Sequence, residues 1–216
     1  NEYYVSIANT YDLEITRVLQ PKPASILQYA NNSSVPVAFR LTNRGITEIK
    51  QFVLVVDIYK DLDRVYHDSI YWNHDPGITV AQETDVNFLS YYVSQVGTYK
   101  VKATAYYLGD QELTNNYIPW LGQADYTFEV ANEIDGAAWD LIQPSNKDQL
   151  GNDVDIYVGR PIRPQGRFKN YGITDISDAN CNLVITRLQD NKEVYNKTTK
   201  IASIPAGVTN NEADVL

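Results

Sequence analysis

The side chains of this sequence that are able to move protons, hold a cation or grip a ligand gather in a few short stretches. Both histidines, His67 and His74, fall in Tyr66-His67-Asp68-Ser69-Ile70-Tyr71-Trp72-Asn73-His74-Asp75. A zinc centre needs ligands at a set spacing, as in His-Glu-x-x-His or a Cys/His pattern, and neither occurs. His67, Asp68 and Ser69 adjoin in sequence, which sets neighbours on opposite faces of a strand, so a Ser-His-Asp relay is not expected. No Gly-x-Ser-x-Gly elbow and no glycine-rich phosphate loop is present. The expectation is a chain with no catalytic residues, hence not an enzyme.

The same stretch suits a ligand patch better. Tyr71, Trp72, His74 and Asp75, with Tyr66 and Asn73 beside them, could form an aromatic-polar surface at a hairpin. Sugar rings stack on such aromatics while amides and carboxylates bond their hydroxyls. The plainer reading is that alternate aromatics pack in the core or across strands. Tyr117-Ile118-Pro119-Trp120 is a second candidate, through Tyr117 and Trp120.

Hard cations take clustered oxygens. Asp61 and Asp63 share a turn, Asn152, Asp153 and Asp155 share a loop, and Glu129, Asn132, Glu133 and Asp135 surround a presumptive joint between modules. None has EF-hand spacing. A structural calcium stiffening that joint is the one cofactor the sequence suggests, against a default of solvated turns and no cofactor. Asn31-Asn32-Ser33, Asn32-Ser33-Ser34 and Asn196-Lys197-Thr198 match the N-glycosylation sequon, and Asp68-Ser69-Ile70 a short O-glycosylation pattern; both are common by chance.

The elements that must carry these residues are strands. Val35, Val37, Phe39 and Leu41 alternate, as do Leu54, Val56 and Ile58, then Tyr99, Val101, Ala103 and Ala105. Tyr3–Ala8, Tyr126–Val130 and Leu183–Thr186 follow the same period of two, rich in β-branched and aromatic residues and bounded by Gly, Pro, Asn and Asp. No stretch shows a capped 3.6-residue period. Close strand spacing predicts antiparallel, immunoglobulin-like β-sandwiches.

The chain repeats itself. Asn43-Arg44-Gly45-Ile46-Thr47-Glu48-Ile49 returns as Asn170-Tyr171-Gly172-Ile173-Thr174-Asp175-Ile176, and Leu54, Val56 and Ile58 return as Cys181, Leu183 and Ile185. Val65-Tyr66 returns as Val194-Tyr195, and Gly77-Ile78-Thr79 as Gly207-Val208-Thr209. Tyr3, Ala8, Asn9, Asp12, Gln20 and Pro21 return as Tyr126, Ala131, Asn132, Asp135, Gln143 and Pro144. The Asn-x-Gly motif reads as a turn whose residues tolerate positive φ. The repeat predicts residues 1–9 as the last strand of a preceding module, 10–131 as a complete module, and 132–216 as a second module stopping before its final strands. A module so cut needs either more chain or a partner strand.

Composition narrows the partners. Twenty-seven acidic against 18 basic residues give a net charge of −9, which argues against nucleic acid and against anionic membrane surfaces. No apolar run is long enough to span a bilayer. The single cysteine, Cys181, excludes an intrachain disulfide and reads as a small buried hydrophobe. Met is absent and the sequence begins at Asn1, so it is not expected to be a primary translation product.

Four stretches carry a family resemblance: Val37-Ala38-Phe39-Arg40-Leu41-Thr42-Asn43-Arg44-Gly45; Asp75-Pro76-Gly77; Val96-Gly97-Thr98-Tyr99-Lys100-Val101; and Asp110-Gln111-Glu112-Leu113-Thr114-Asn115-Asn116-Tyr117. The pattern resembles the CARDB-type (APHP-type) modules of bacterial and archaeal surface proteins, over about 10–131 and again over 137–216. Ile118–Gln123 lies where that family is usually shorter, and the linker Asn132–Trp139 is longer than a tight junction. The resemblance implies a non-catalytic extracellular module, a spacer, display or adhesion unit of a large repetitive surface or filament protein of a Bacteroidota-like organism. Its partners would be neighbouring modules, glycans or other surface proteins. The alternatives are a carbohydrate-binding accessory of a secreted enzyme and a strand-swapping filament subunit.

Overall fold

Phe52, Leu54, Val56 and Ile58 are at most 3% exposed, while Gln51, Val53, Val55 and Asp57 between them face outward. That alternation is what a strand with one buried face requires. It is the organising pattern of the computed structural model, which describes residues 8–144 and 161–206, and 212–215 by backbone alone. The chain divides into two units, 1–131 and 132–216. Among the described residues the one helical segment is a 3-10 turn at Leu113–Asn115, so no helix there is long and apolar enough to cross a membrane.

The first unit runs β1 (Leu13–Gln20), β2 (Gln28–Ala30), β3 (Ser33–Val35), β4 (Ala38–Asn43), β5 (Ile49–Lys60), β6 (Asp63–Ile78), β7 (Glu83–Asn87), β8 (Tyr91–Val93), β9 (Gly97–Tyr106), β10 (Tyr117–Ile118) and β11 (Tyr126–Ala131). One sheet has the order β1-β4-β7, a second the order β2-β11-β9-β5-β6, with β10 on β9, and β3 pairs with β8 in a small third. Pairing is antiparallel except between β11 and β2. Leu13, Ile15, Phe39 and Leu41 from the first sheet share a core with Leu54, Val56, Ile58, Val101 and Phe128 from the second. Burying each such side chain contributes roughly 1.5–3 kcal/mol. The protein is therefore all-β, with antiparallel sheets packed as a sandwich.

The second unit contains β12 (Gly136–Gln143), β13 (Gln165–Asn170), β14 (Ile176–Arg187), β15 (Lys192–Ile204) and β16 (Glu212–Val215). The sheet β12-β13-β16 repeats β1-β4-β7, and the hairpin β14-β15 repeats β5-β6. Even the irregularities recur. β1 slips register at Ile15/Arg17 and Val18/Gln20, and β12 slips at Ala138/Asp140 and Leu141/Gln143. Cys181 is buried, but Leu183 and Ile185 are only half-buried, where Leu54, Val56 and Ile58 are fully enclosed.

Two sequence expectations change here. The run Val35–Leu41 is not one strand: Pro36, which lacks an N–H, separates β3, paired with β8, from β4, paired with β1 and β7. Nor do Gly45 and Gly172 serve positive φ, since neither has it. A Cβ on Gly45 would lie 2.7 Å from the Thr10 carbonyl oxygen and 2.8 Å from the Asp12 nitrogen; on Gly172 it would lie 2.7 Å from both the Glu133 oxygen and the Asp135 nitrogen. Each glycine is required because another piece of backbone passes against it.

That passing backbone forms a latch. The Asp12 carbonyl accepts from Arg44 N at 2.8 Å, and the Thr10 carbonyl from Thr47 N at 3.1 Å. The Asp135 carbonyl accepts from Tyr171 N at 2.7 Å, and the Glu133 carbonyl from Thr174 N at 2.9 Å. The two sequence repeats, found separately, are the two halves of one structural device. The stretch 132–135, read from sequence as part of a long linker, is the first half of that device in the second unit. The expected strand Tyr3–Ala8 (all but Ala8), the Asn152/Asp153/Asp155 loop and Gly207-Val208-Thr209 lie outside the described residues.

Candidate ligand-binding face

Among the described residues β6 is an edge strand, paired with β5 alone, and residues 66–75 run along its length rather than around a hairpin tip. The period of two then divides the predicted patch between two faces. Tyr71 and Asn73 point outward. Trp72 points inward, its ring stacked on Phe52 at 5.6 Å and 15°, so it is core packing and not a free platform. His74 is exposed, with its ring 4.1 Å from that of Trp72. Asp75 is exposed and held by Lys50 Nζ at 2.7 Å. Of the four residues named from sequence, Tyr71 alone presents an open aromatic face.

Neither Tyr117 nor Trp120 joins it. Tyr117 sits on β10 opposite Thr104. Trp120 packs against the core and donates its indole N–H to the Ile15 carbonyl at 2.7 Å, which satisfies the polar end of a partly buried ring.

The joint residues are also committed elsewhere. Glu129 lies on β11 and accepts from Thr98 Oγ1 at 2.5 Å. Asn132 donates to Asp135 at 3.0 Å, as Asn9 does to Asp12 at 3.0 Å. Asn132, Glu133 and Asp135 give their carbonyls to the latch. Among the described residues no group of three or more His, Cys, Asp or Glu is placed to hold a metal ion. Asp61 occupies the β5–β6 turn at φ 54, and Asp63 opens β6 opposite Lys60.

His67 has a partner that the sequence did not disclose. Its Nδ1 lies 2.8 Å from Asp57 Oδ1 on β5, which also takes Arg64 at 3.3 Å. Ser69, two residues on, shares the outward face with His67, contrary to the sequence reading, but along a strand two residues span about 7 Å, too far for an Oγ–imidazole bond.

What gathers around Tyr71 is a different set. Val53 is directly opposite Tyr71 on β6 and Tyr106 on β9, so the three form one row across three strands. Tyr71 is 62% exposed and Tyr106 59%. Tyr71 donates its hydroxyl to Gln51 Oε1 at 2.9 Å. Beyond the row the sheet ends against Tyr11 and Tyr107, edge to face at 5.5 Å and 68°. Together with Thr47, Glu48, Lys50 and Asn73 these residues line an open groove of about 770 Å³, within the ~300–1,000 Å³ usual for small-ligand sites. Sequence reasoning missed Tyr106 and Gln51. Tyr106 stands at an outward position of a strand it recognised, and Gln51 just before the recognised start of another, which the structure extends back to Ile49; the register that joins them to Tyr71 is written only in the fold.

No family model matches the chain, and no curated protein matches it. Among solved structures it is similar to the CARDB domain of a protein from Pyrococcus furiosus, determined in complex with di-metal ions. The match has 15% identity and a TM-score of 0.40, and covers 60% of this chain and 99% of that one.

Proposed function

We propose that the chain is a non-catalytic structural and adhesion module, a spacer or display unit in a large repetitive bacterial surface or filament protein. The observation that carries this reading is the repeated latch. Two units of one chain are built on the same plan, down to the register slips of β1 and β12, as in proteins whose length is made by stacking modules. The acidic balance of −9 fits an exposed, soluble stalk. Of the two histidines, His67 is tied into a surface ion-pair cluster with Asp57 and Arg64, and His74 lies against the Trp72 ring.

The test is surface labelling of intact cells of the source organism with an antibody raised against residues 8–131. Decoration of unpermeabilised cells or of their filaments is expected. Staining only after permeabilisation would overturn the reading.

A further inference from the structure

We propose that the groove beside the Tyr71–Val53–Tyr106 row binds a neutral pyranose glycan, with Tyr71 and Tyr106 as stacking platforms and Gln51, Asn73 and Thr47 bonding the sugar hydroxyls. This goes beyond the structural role above.

The row supplies the first argument. Neighbouring strands lie about 4.8 Å apart, so the two tyrosines flank Val53 with their Cα atoms roughly 10 Å apart on one face. That separation suits alternate residues of an extended sugar chain laid across the sheet. Both rings stand on strands, and Tyr71 is further fixed by its bond to Gln51. An aromatic held rigidly in water loses little entropy when a ligand covers it, which is the condition for a useful platform.

The polar lining supplies the second. Amides donate and accept, as sugar hydroxyls do, and Gln51 and Asn73 sit opposite each other on β5 and β6 at the foot of the row. Thr47 adds a hydroxyl where the groove meets the latch.

Charge selects the sugar. Among the described residues the one cation lining the groove is Lys50, and it is already neutralised by Asp75 at 2.7 Å and Glu48 at 3.7 Å. An anionic glycan would meet the Glu48 carboxylate in the groove and a lysine whose charge is already taken up, in a protein of net charge −9. Neutral sugars escape that repulsion.

The test is an array of neutral hexasaccharides (gluco-, xylo-, manno- and chito-series), with anionic glycans and proline-rich peptides printed beside them, probed with the full chain. Binding to at least one neutral hexasaccharide is expected. Tyr71→Ala and Tyr106→Ala should each weaken it about tenfold, whereas Tyr71→Phe, which keeps the ring, should stay within about threefold. Tyr92→Ala, an exposed tyrosine outside the groove, should leave it unchanged. Both alanine variants remove largely exposed rings, so an unshifted thermal midpoint checks that they fold. Silence on every neutral sugar overturns the proposal. So does binding that survives both alanine substitutions, or binding confined to anionic glycans or proline-rich peptides.

Discussion

Asn43 and Asn170, 127 positions apart in sequence, make the same three hydrogen bonds. Asn43 Nδ2 donates to the carbonyls of Thr47 at 2.8 Å and Ile78 at 2.9 Å, and its Oδ1 accepts from Gly45 N at 3.0 Å. Asn170 does so with Thr174 at 2.8 Å, Ile204 at 3.1 Å and Gly172 N at 2.9 Å. Both side chains are 0% exposed. In each unit one amide ties the end of a strand, the turn after it and the end of the long hairpin into a single knot.

Asn43→Ala or Asn170→Ala would leave buried backbone groups unpaired, at about 1–3 kcal/mol each. Each substitution should cost its unit about 3 kcal/mol, read as a lower urea midpoint with the slope unchanged. A loss near zero would show that water replaces the knot.

Gly45→Ala should cost about 1–3 kcal/mol, the range for overpacking, because its Cβ would meet backbone that cannot swing away. Gly172→Ala should behave alike in the second unit. Gly122→Ala, with nothing within 4 Å of its Cβ but a φ of +78°, should cost only about 1 kcal/mol. Thermal midpoints of the three variants give the order; Gly122→Ala as the worst would refute the close-approach account.

Trp120 and Trp72 should respond differently to replacement by phenylalanine. Trp120 loses a bond to Ile15, whereas Trp72 buries its Nε1 with no partner among the described residues. Trp120→Phe is therefore expected to destabilise by about 1–3 kcal/mol, and Trp72→Phe by less. Equal losses in denaturant unfolding would contradict the difference drawn between the two rings.

Tyr126 sets an alkaline limit. Burial, with a smaller contribution from Tyr29, pushes its phenol up to about 12 from an ordinary 10.0. The folded state thus favours the neutral form more than the unfolded state does. The stability this provides is fully present below pH 10 and is lost as pH rises toward about 12. Burial raises Tyr66, Tyr91 and Tyr99 in the same sense. Urea midpoints should fall across that window, and Tyr126→Phe should shallow the fall. Midpoints flat through the window would remove the linkage.

The sequence by itself determined the strands, their buried faces, the all-β class and the repeat, because a half-buried strand must alternate and a reused plan must reuse its pattern. Leu54, Val56 and Ile58 were legible for that reason, as was the kinship of Asn43 and Asn170. What it could not express was which strand lies beside which. Pairing is a long-range choice made by the whole core, so Val53 gave no sign of standing between Tyr71 and Tyr106, or Asp57 of meeting His67. The same limit misplaced Trp72 and Trp120, which look like ligand platforms in a linear stretch and turn out to be packing. It also hid the reason for Gly45, since the backbone that crowds it, Thr10 to Asp12, is more than 30 residues away in the chain and touching in the fold.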